Sequence, residues 1–181
     1  DPDVAKQKLS FVQRAVIGAG RFVGATGDAA LTRELSRRWM PLGRRVVIVG
    51  GGLVGLELAE FLSAREREVT VLEEGATLAP EMALPRRWRA LFEARERGVR
   101  FVTRAQVLAI TDTEVLYADA SGAHSSVPAD HVILAAGARE DRSLGEALAD
   151  LGIEIHLLGD CDGVGYVEGA MLGAARVAGS L

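Results

Sequence analysis

Gly50, Gly51, Gly52 and Gly55 stand between two apolar runs, and Glu73 closes the second run. These residue types suit the holding of a diphosphate and a ribose better than acid–base work. Gly50 permits a sharp turn out of a strand, Gly52 lets the backbone approach a pyrophosphate, and Gly55 lets a helix lie close on a sheet. The first amides of that helix, on Leu53, Val54 and Gly55, then face the phosphates, and its positive end favours an anion. Glu73 falls 18 positions beyond Gly55. There a carboxylate accepts hydrogen bonds from both hydroxyls of an adenosine ribose and repels a 2′-phosphate, so NAD(H) is expected over NADP(H). Arg65 and Arg67 precede the second run, where they could soften that preference.

The elements that must position these residues are legible around them. Val46 to Val49 is a β-branched apolar run that stops at the glycines, and Val69 to Leu72 is a second. Between them Leu53, Leu56, Leu58, Ala59 and Leu62 are spaced to bury one face of a helix. Strand, glycine turn, helix, strand and acid together form the G-x-G-x-x-G dinucleotide fingerprint in its required context.

Elsewhere the patterns are shorter. Residues Asp1 to Gln13 carry no pattern, Arg14 to Gly20 reads as a strand ending in glycines, and Ala29 to Arg38 as a short helical run. Pro41-Leu42-Gly43 is a linker. A helix is predicted from about Leu84 to Arg97, with Trp88, Leu91 and Phe92 on its apolar side, arginines opposite and Gly98 as its stop. From Val99 the period changes to two. Val99–Phe101, Val107–Ile110 and Glu114–Tyr117 read as short strands of an antiparallel excursion, with turns at Asp112-Thr113 and Ser121-Gly122. Asp130 to Ala136 is a buried strand ending at Gly137, Ser143 to Leu151 a short helix, and Ile153 to Leu158 a last strand closed by Gly159-Asp160. The tail from Gly165 is helical and rich in small residues.

Bulk properties exclude several classes. The 181 residues are 49% hydrophobic and 25% charged with a formal net charge of −4, which describes a globular protein and argues against a nucleic-acid surface. No apolar run approaches the ~20 residues that span a bilayer, and no signal peptide opens the chain, so a cytoplasmic location and no membrane partner are expected. Cys161 is the single cysteine, which excludes an internal disulfide and a C-x-x-C dithiol. The opening Asp1-Pro2-Asp3 without an initiator Met suggests a piece of a longer polypeptide.

Gly18, Gly20 and Gly24 place their third glycine one position late for a second fingerprint, so a tight turn is expected there. Gly159-Asp160 offers a carboxylate ahead of a small-residue helix, suited either to a sugar or ribityl hydroxyl or to an ordinary turn or N-cap. His124 reads as a turn residue, His131 and His156 as strand starts, and no metal-ligand spacing is present.

Taken in order, these segments resemble the flavoprotein reductases with two dinucleotide-binding domains. More closely, they resemble the C-terminal half of the dienoyl-CoA reductase and trimethylamine dehydrogenase group of NADH:flavin oxidoreductases, in the pyridine nucleotide-disulfide oxidoreductase superfamily. The resemblance implies an α/β, Rossmann-like βαβ fold with a parallel sheet and an antiparallel β-meander, inserted in part of a second FAD-type α/β domain. On it, residues 1–42 belong to the FAD-type domain, 43–129 form the NAD(H)-binding domain, and 130–181 return to the FAD-type domain. It assigns Gly50 to Gly55 and Glu73 to NAD(H), Ala136 and Gly137 to the return crossover, and Gly159-Asp160 to the ribityl chain of FAD. It also implies a small-molecule substrate and an N-terminal flavin and iron–sulfur barrel outside these residues.

Departures from the family pattern are GAG at Gly18–Gly20 and AAG at Ala135–Gly137 where A-T-G is usual, and Glu140 where proline is common. The family's first glycine fingerprint, for FAD, is not in the sequence. The expected function is therefore the nucleotide-binding portion of an NADH-dependent flavin oxidoreductase, with no catalytic acid–base side chain needed for hydride transfer. The alternative is a non-catalytic module holding NAD or an ADP moiety.

Overall fold

The computed structural model describes residues 40–180, together with Ala30, Arg33 and Glu34, in two compact units that divide between Ala136 and Gly137. The strand expected at Arg14 to Gly20, the turn at Gly18 to Gly24 and most of the run Ala29 to Arg38 lie outside the described residues.

The first unit runs β1 (Arg45–Val49), α1 (Leu53–Ser63), β2 (Glu68–Glu73), α2 (Leu84–Glu96), β3 (Arg100–Thr103), β4 (Gln106–Ile110), β5 (Glu114–Ala118), β6 (His124–Pro128) and β7 (His131–Leu134). A parallel sheet has the order β3-β2-β1-β7, and a separate antiparallel sheet the order β4-β5-β6. This is the expected α/β class. Strands of a parallel sheet are covered on both faces and read as continuous apolar runs. In β1 that covering is explicit: Val46 and Ile48 share a core with Leu56, Ala59 and Leu62 of α1 and Ala90 and Ala94 of α2. Val47, on the opposite face, joins Leu72 and the meander residues Val115, Tyr117 and Val127 in a second core. Full burial of side chains such as Ile48, Leu56 and Leu62 contributes about 1.5–3 kcal/mol each.

Several expectations are corrected. The strand at Val99 to Phe101 is β3, and it pairs parallel to β2 rather than joining the meander. The third meander strand is β6, unmarked in the sequence because its run, His-Ser-Ser-Val-Pro, has one apolar residue to bury, Val127. An edge strand that pairs with one neighbour tolerates such a composition and a terminal proline. His124 accordingly begins a strand instead of occupying a turn.

Of the expected apolar side of helix α2, Leu91 packs against the core but Trp88 and Phe92 do not. Trp88 and Phe92 are 72% and 53% exposed and stack on each other with ring centroids 5.9 Å apart. The buried positions are Ala90 and Ala94, whose small side chains allow a close approach, while Arg86–Glu57 and Arg97–Glu60 ion pairs bridge α2 to α1.

The second unit holds α3 (Ser143–Leu148), a 3₁₀ turn at Ala149–Leu151, another at Gly159–Asp162, and α4 (Tyr166–Ala178). The strand expected at Ile153 to Leu158 is not formed: the segment has no ladder with any described strand. Gly152, in the left-handed region with φ of 67°, ends the preceding turn as a glycine C-cap does.

Candidate functional site

The glycine turn sits where β1 ends, and each glycine in it answers to a specific neighbour. Gly50 has φ of 105°, and a side chain there would place its first carbon 2.4 Å from the carbonyl oxygen of Ala135. Its amide donates to Leu72 O at 2.8 Å, tying the turn to the end of β2. Gly55 is tighter: an added carbon would lie 1.9 Å from Gly50 O. The helix can lie against the turn only because that carbon is missing.

Gly51 is held from both sides. Its amide donates to Glu73 Oε2 at 2.6 Å, and its carbonyl accepts from the Ala79 amide at 2.7 Å. Gly52 is the N-cap of α1, and no side chain caps that helix. The first intrahelical bond runs from Leu56 N to Gly52 O at 3.0 Å, so the amides of Leu53, Val54 and Gly55 precede it. Those donors and the helix dipole form a cradle whose chemistry fits a diphosphate.

Glu73, the last residue of β2, is placed beside this cradle as expected, with an additional role. Besides Gly51, it accepts from the Gly75 amide through Oε1 at 2.6 Å. A carboxylate offers about four lone-pair sites, so two directions remain for ribose hydroxyls. Sequence reasoning missed this bracing function, and it missed the segment that follows. Leu78, Ala79 and Met82 are buried, and they carry residues 78–82 alongside the glycine turn. Glu81 thereby comes within 3.4 Å of the position a side chain on Gly52 would occupy. Nothing in a Gly/Pro-bearing loop signals that approach.

Arg65 and Arg67 are not brought to the site. Both precede β2, whose opposite end carries Glu73, and six residues of strand separate the ends by roughly 16 Å. The Arg65 guanidinium lies 3.5 Å from the centre of the Phe61 ring, and Arg67 donates to Arg65 O at 3.0 Å. They cannot soften a choice made at Glu73.

Ala136 lies two residues past the end of β7, and Ala135 N donates to Val49 O at 2.7 Å, so the end of β7 abuts the glycine turn. Gly137 has φ of 100° and opens the second unit. Within that unit Asp160 Oδ1 accepts from Gly165 N at 3.1 Å and Tyr166 N at 3.0 Å, bracing the start of α4. Gly159 has φ of 74° in the same turn. Cys161 is a free thiol that donates to Leu158 O at 3.0 Å.

His131 Nδ1 accepts from Gly43 N at 2.9 Å, and His156 lies 3.1 Å from Glu154. No group of metal-ligating side chains occurs among the described residues. None of their helices is long and apolar enough to cross a membrane.

With that geometry, the chain is similar to known redox proteins. A family model described as pyridine nucleotide-disulphide oxidoreductase matches residues 10–161. A bilirubin reductase of Mediterraneibacter gnavus (strain CC55_001C) is 40% identical over 131 residues, covering 72% of this chain and 20% of that protein. An NADH oxidase of Thermoanaerobacter brockii is 30% identical over 134 residues, covering 74% of this chain and 21% of that protein. The solved structure of a 2-naphthoyl-CoA reductase complexed with 2-naphthoyl-CoA superposes with a TM-score of 0.68 at 26% identity, over 78% of this chain and 21% of the other. The chain thus spans about a fifth of the length of these two curated relatives.

Proposed function

The chain belongs to the pyridine nucleotide-disulphide oxidoreductase family, and from that premise we propose that it is the nucleotide-binding portion of an NADH-dependent flavin oxidoreductase. The observation that carries this reading is the 2.6 Å bond from the Gly51 amide to Glu73. It holds the Glu73 carboxylate against the glycine turn that leads into α1, an arrangement that suits an adenosine diphosphate with its ribose on the acid.

Leu53, Val54 and Gly55 would donate to the diphosphate, Gly52 would admit it, and Glu73 would hold the adenosine ribose and reject a 2′-phosphate. When bound, the nicotinamide supplies or accepts a hydride; the protein's part is to bind, orient and exclude water. A dithiol route on these residues is disfavoured, because Cys161 has no second cysteine to pair with.

The second unit supports a companion proposal: residues 137–181 are the returning part of an FAD-type domain, with Asp160 directed to the ribityl chain and Ala136-Gly137 forming the crossover. Leu144, Leu151, Val167, Met171 and Leu172 are all at least 60% exposed. A contiguous domain would cover such apolar surface, and the length of the relatives leaves room for that domain, for an N-terminal barrel and for the small-molecule substrate site.

The visible spectrum of the purified chain, recorded with and without added FAD, tests the reading. Flavin bands near one per chain, bleached by NADH, are the expected result. A colourless protein that binds NADH and reduces neither added flavin nor dye would instead make it a binding module.

A further inference from the structure

We infer that Glu81 is a built-in competitor for the diphosphate cradle, a carboxylate that stands where the anion must enter and lowers the affinity for pyridine nucleotides. The inference rests on the reading of α1 and the glycine turn as the nucleotide site.

The glycine at position 52 leaves open the space where a side chain would otherwise project, and a diphosphate over the helix end needs that space. Glu81 occupies its edge: Oε1, Oε2 and the carboxyl carbon lie 3.4, 3.9 and 4.0 Å from the missing carbon. No side chain caps α1, and its first turn contains no acid. Glu73 is engaged with the Gly51 and Gly75 amides, so Glu81 is the second carboxylate near the positive end of α1, and the one whose side chain borders the space left open at Gly52.

Its position is imposed by its neighbours. Ala79, at 0% exposure, donates its amide to Gly51 O at 2.7 Å, and Met82, at 6%, donates to Ala79 O at 3.0 Å. The backbone carrying Glu81 is thus pinned on both sides, while its side chain is exposed and can rotate away. A nucleotide must displace this carboxylate, losing its attraction to the helix end and accepting whatever repulsion remains.

The test is equilibrium binding of NADH, ADP-ribose and adenosine to the full chain and to its Glu81→Gln variant at low and high salt. The variant is expected to bind NADH and ADP-ribose about two- to fivefold more tightly at low salt, the scale of an exposed anion at a helix terminus. Adenosine, which lacks phosphate, should bind both proteins equally, and the gain should shrink as salt rises. Thermal melts supply a second readout: Glu81→Gln should lower the ligand-free melting temperature and enlarge the rise caused by ADP-ribose. If wild type binds NADH and the variant binds it no more tightly, Glu81 is not a competitor and this inference alone falls. If neither protein binds NADH or ADP-ribose, the nucleotide site falls with it.

Discussion

Gly55 has no room for one further carbon, because 1.9 Å to the Gly50 carbonyl oxygen is far inside van der Waals contact and the obstacle is backbone. Gly55→Ala is expected to push α1 off the sheet and destabilise the fold by about 1–3 kcal/mol, read as a lower urea midpoint with reduced NADH binding. An unchanged midpoint would mean that the turn relaxes freely. Glu73→Ala removes a charged acceptor from Gly51 and, on the proposed function, from the ribose. NADH binding should weaken by roughly 1–3 kcal/mol in a fluorescence titration; unchanged affinity would remove Glu73 from the site. At this scale the sequence was informative. The spacing of Gly50, Gly52, Gly55 and Glu73 carries its own geometry, since the turn, the helix start and the strand end are all local. Glu81 was not legible, because its place depends on Leu78, Ala79 and Met82 being drawn into a core formed by distant segments.

Between elements, the starts of β1 and β7 are tied by Arg45 and Asp130. Asp130 Oδ2 accepts from the Arg45 amide at 2.8 Å, and Oδ1 accepts from Arg45 Nε at 3.0 Å and from its Nη2. The hydrogen bond from the Arg45 guanidinium is the main cause that lowers the Asp130 carboxyl to about 2. A depressed carboxyl contributes stability that is complete above the unfolded-chain value and is lost as pH falls through the folded one. Urea midpoints should therefore decline between about pH 4 and pH 2. That decline should be shallower in Asp130→Asn, and identical profiles would show that the contact contributes nothing. Helix α2 shows where periodicity misleads. Of the expected apolar residues Leu91 packs against the core, but Trp88 and Phe92 do not, and Ala90 and Ala94 take the buried positions, where small side chains permit a close approach.

Over the whole molecule, burial is uneven. Among the described residues the buried hydrophobic ones all fall between Val46 and Ala129, and from 137 to 180 Gly173 alone is buried. Local stability follows buried apolar contact. In the isolated chain, amide hydrogen exchange should thus be slowest in β1, β2 and β5 and much faster throughout α3 and α4. Equal protection of α4 and β1 would overturn this picture of the second unit.

The sequence by itself determined the local grammar: a strand, a glycine turn, a helix, a second strand and an acid, in the order of a βαβ unit. That is possible because backbone freedom, helix capping and apolar periodicity act over a few residues. Tertiary structure alone decided that β3 lies beside β2, that β6 completes the meander, that Arg65 and Arg67 point away from Glu73, and that Glu81 reaches Gly52. Each of those outcomes depends on which distant surfaces exclude water together, and no window along the chain contains that information.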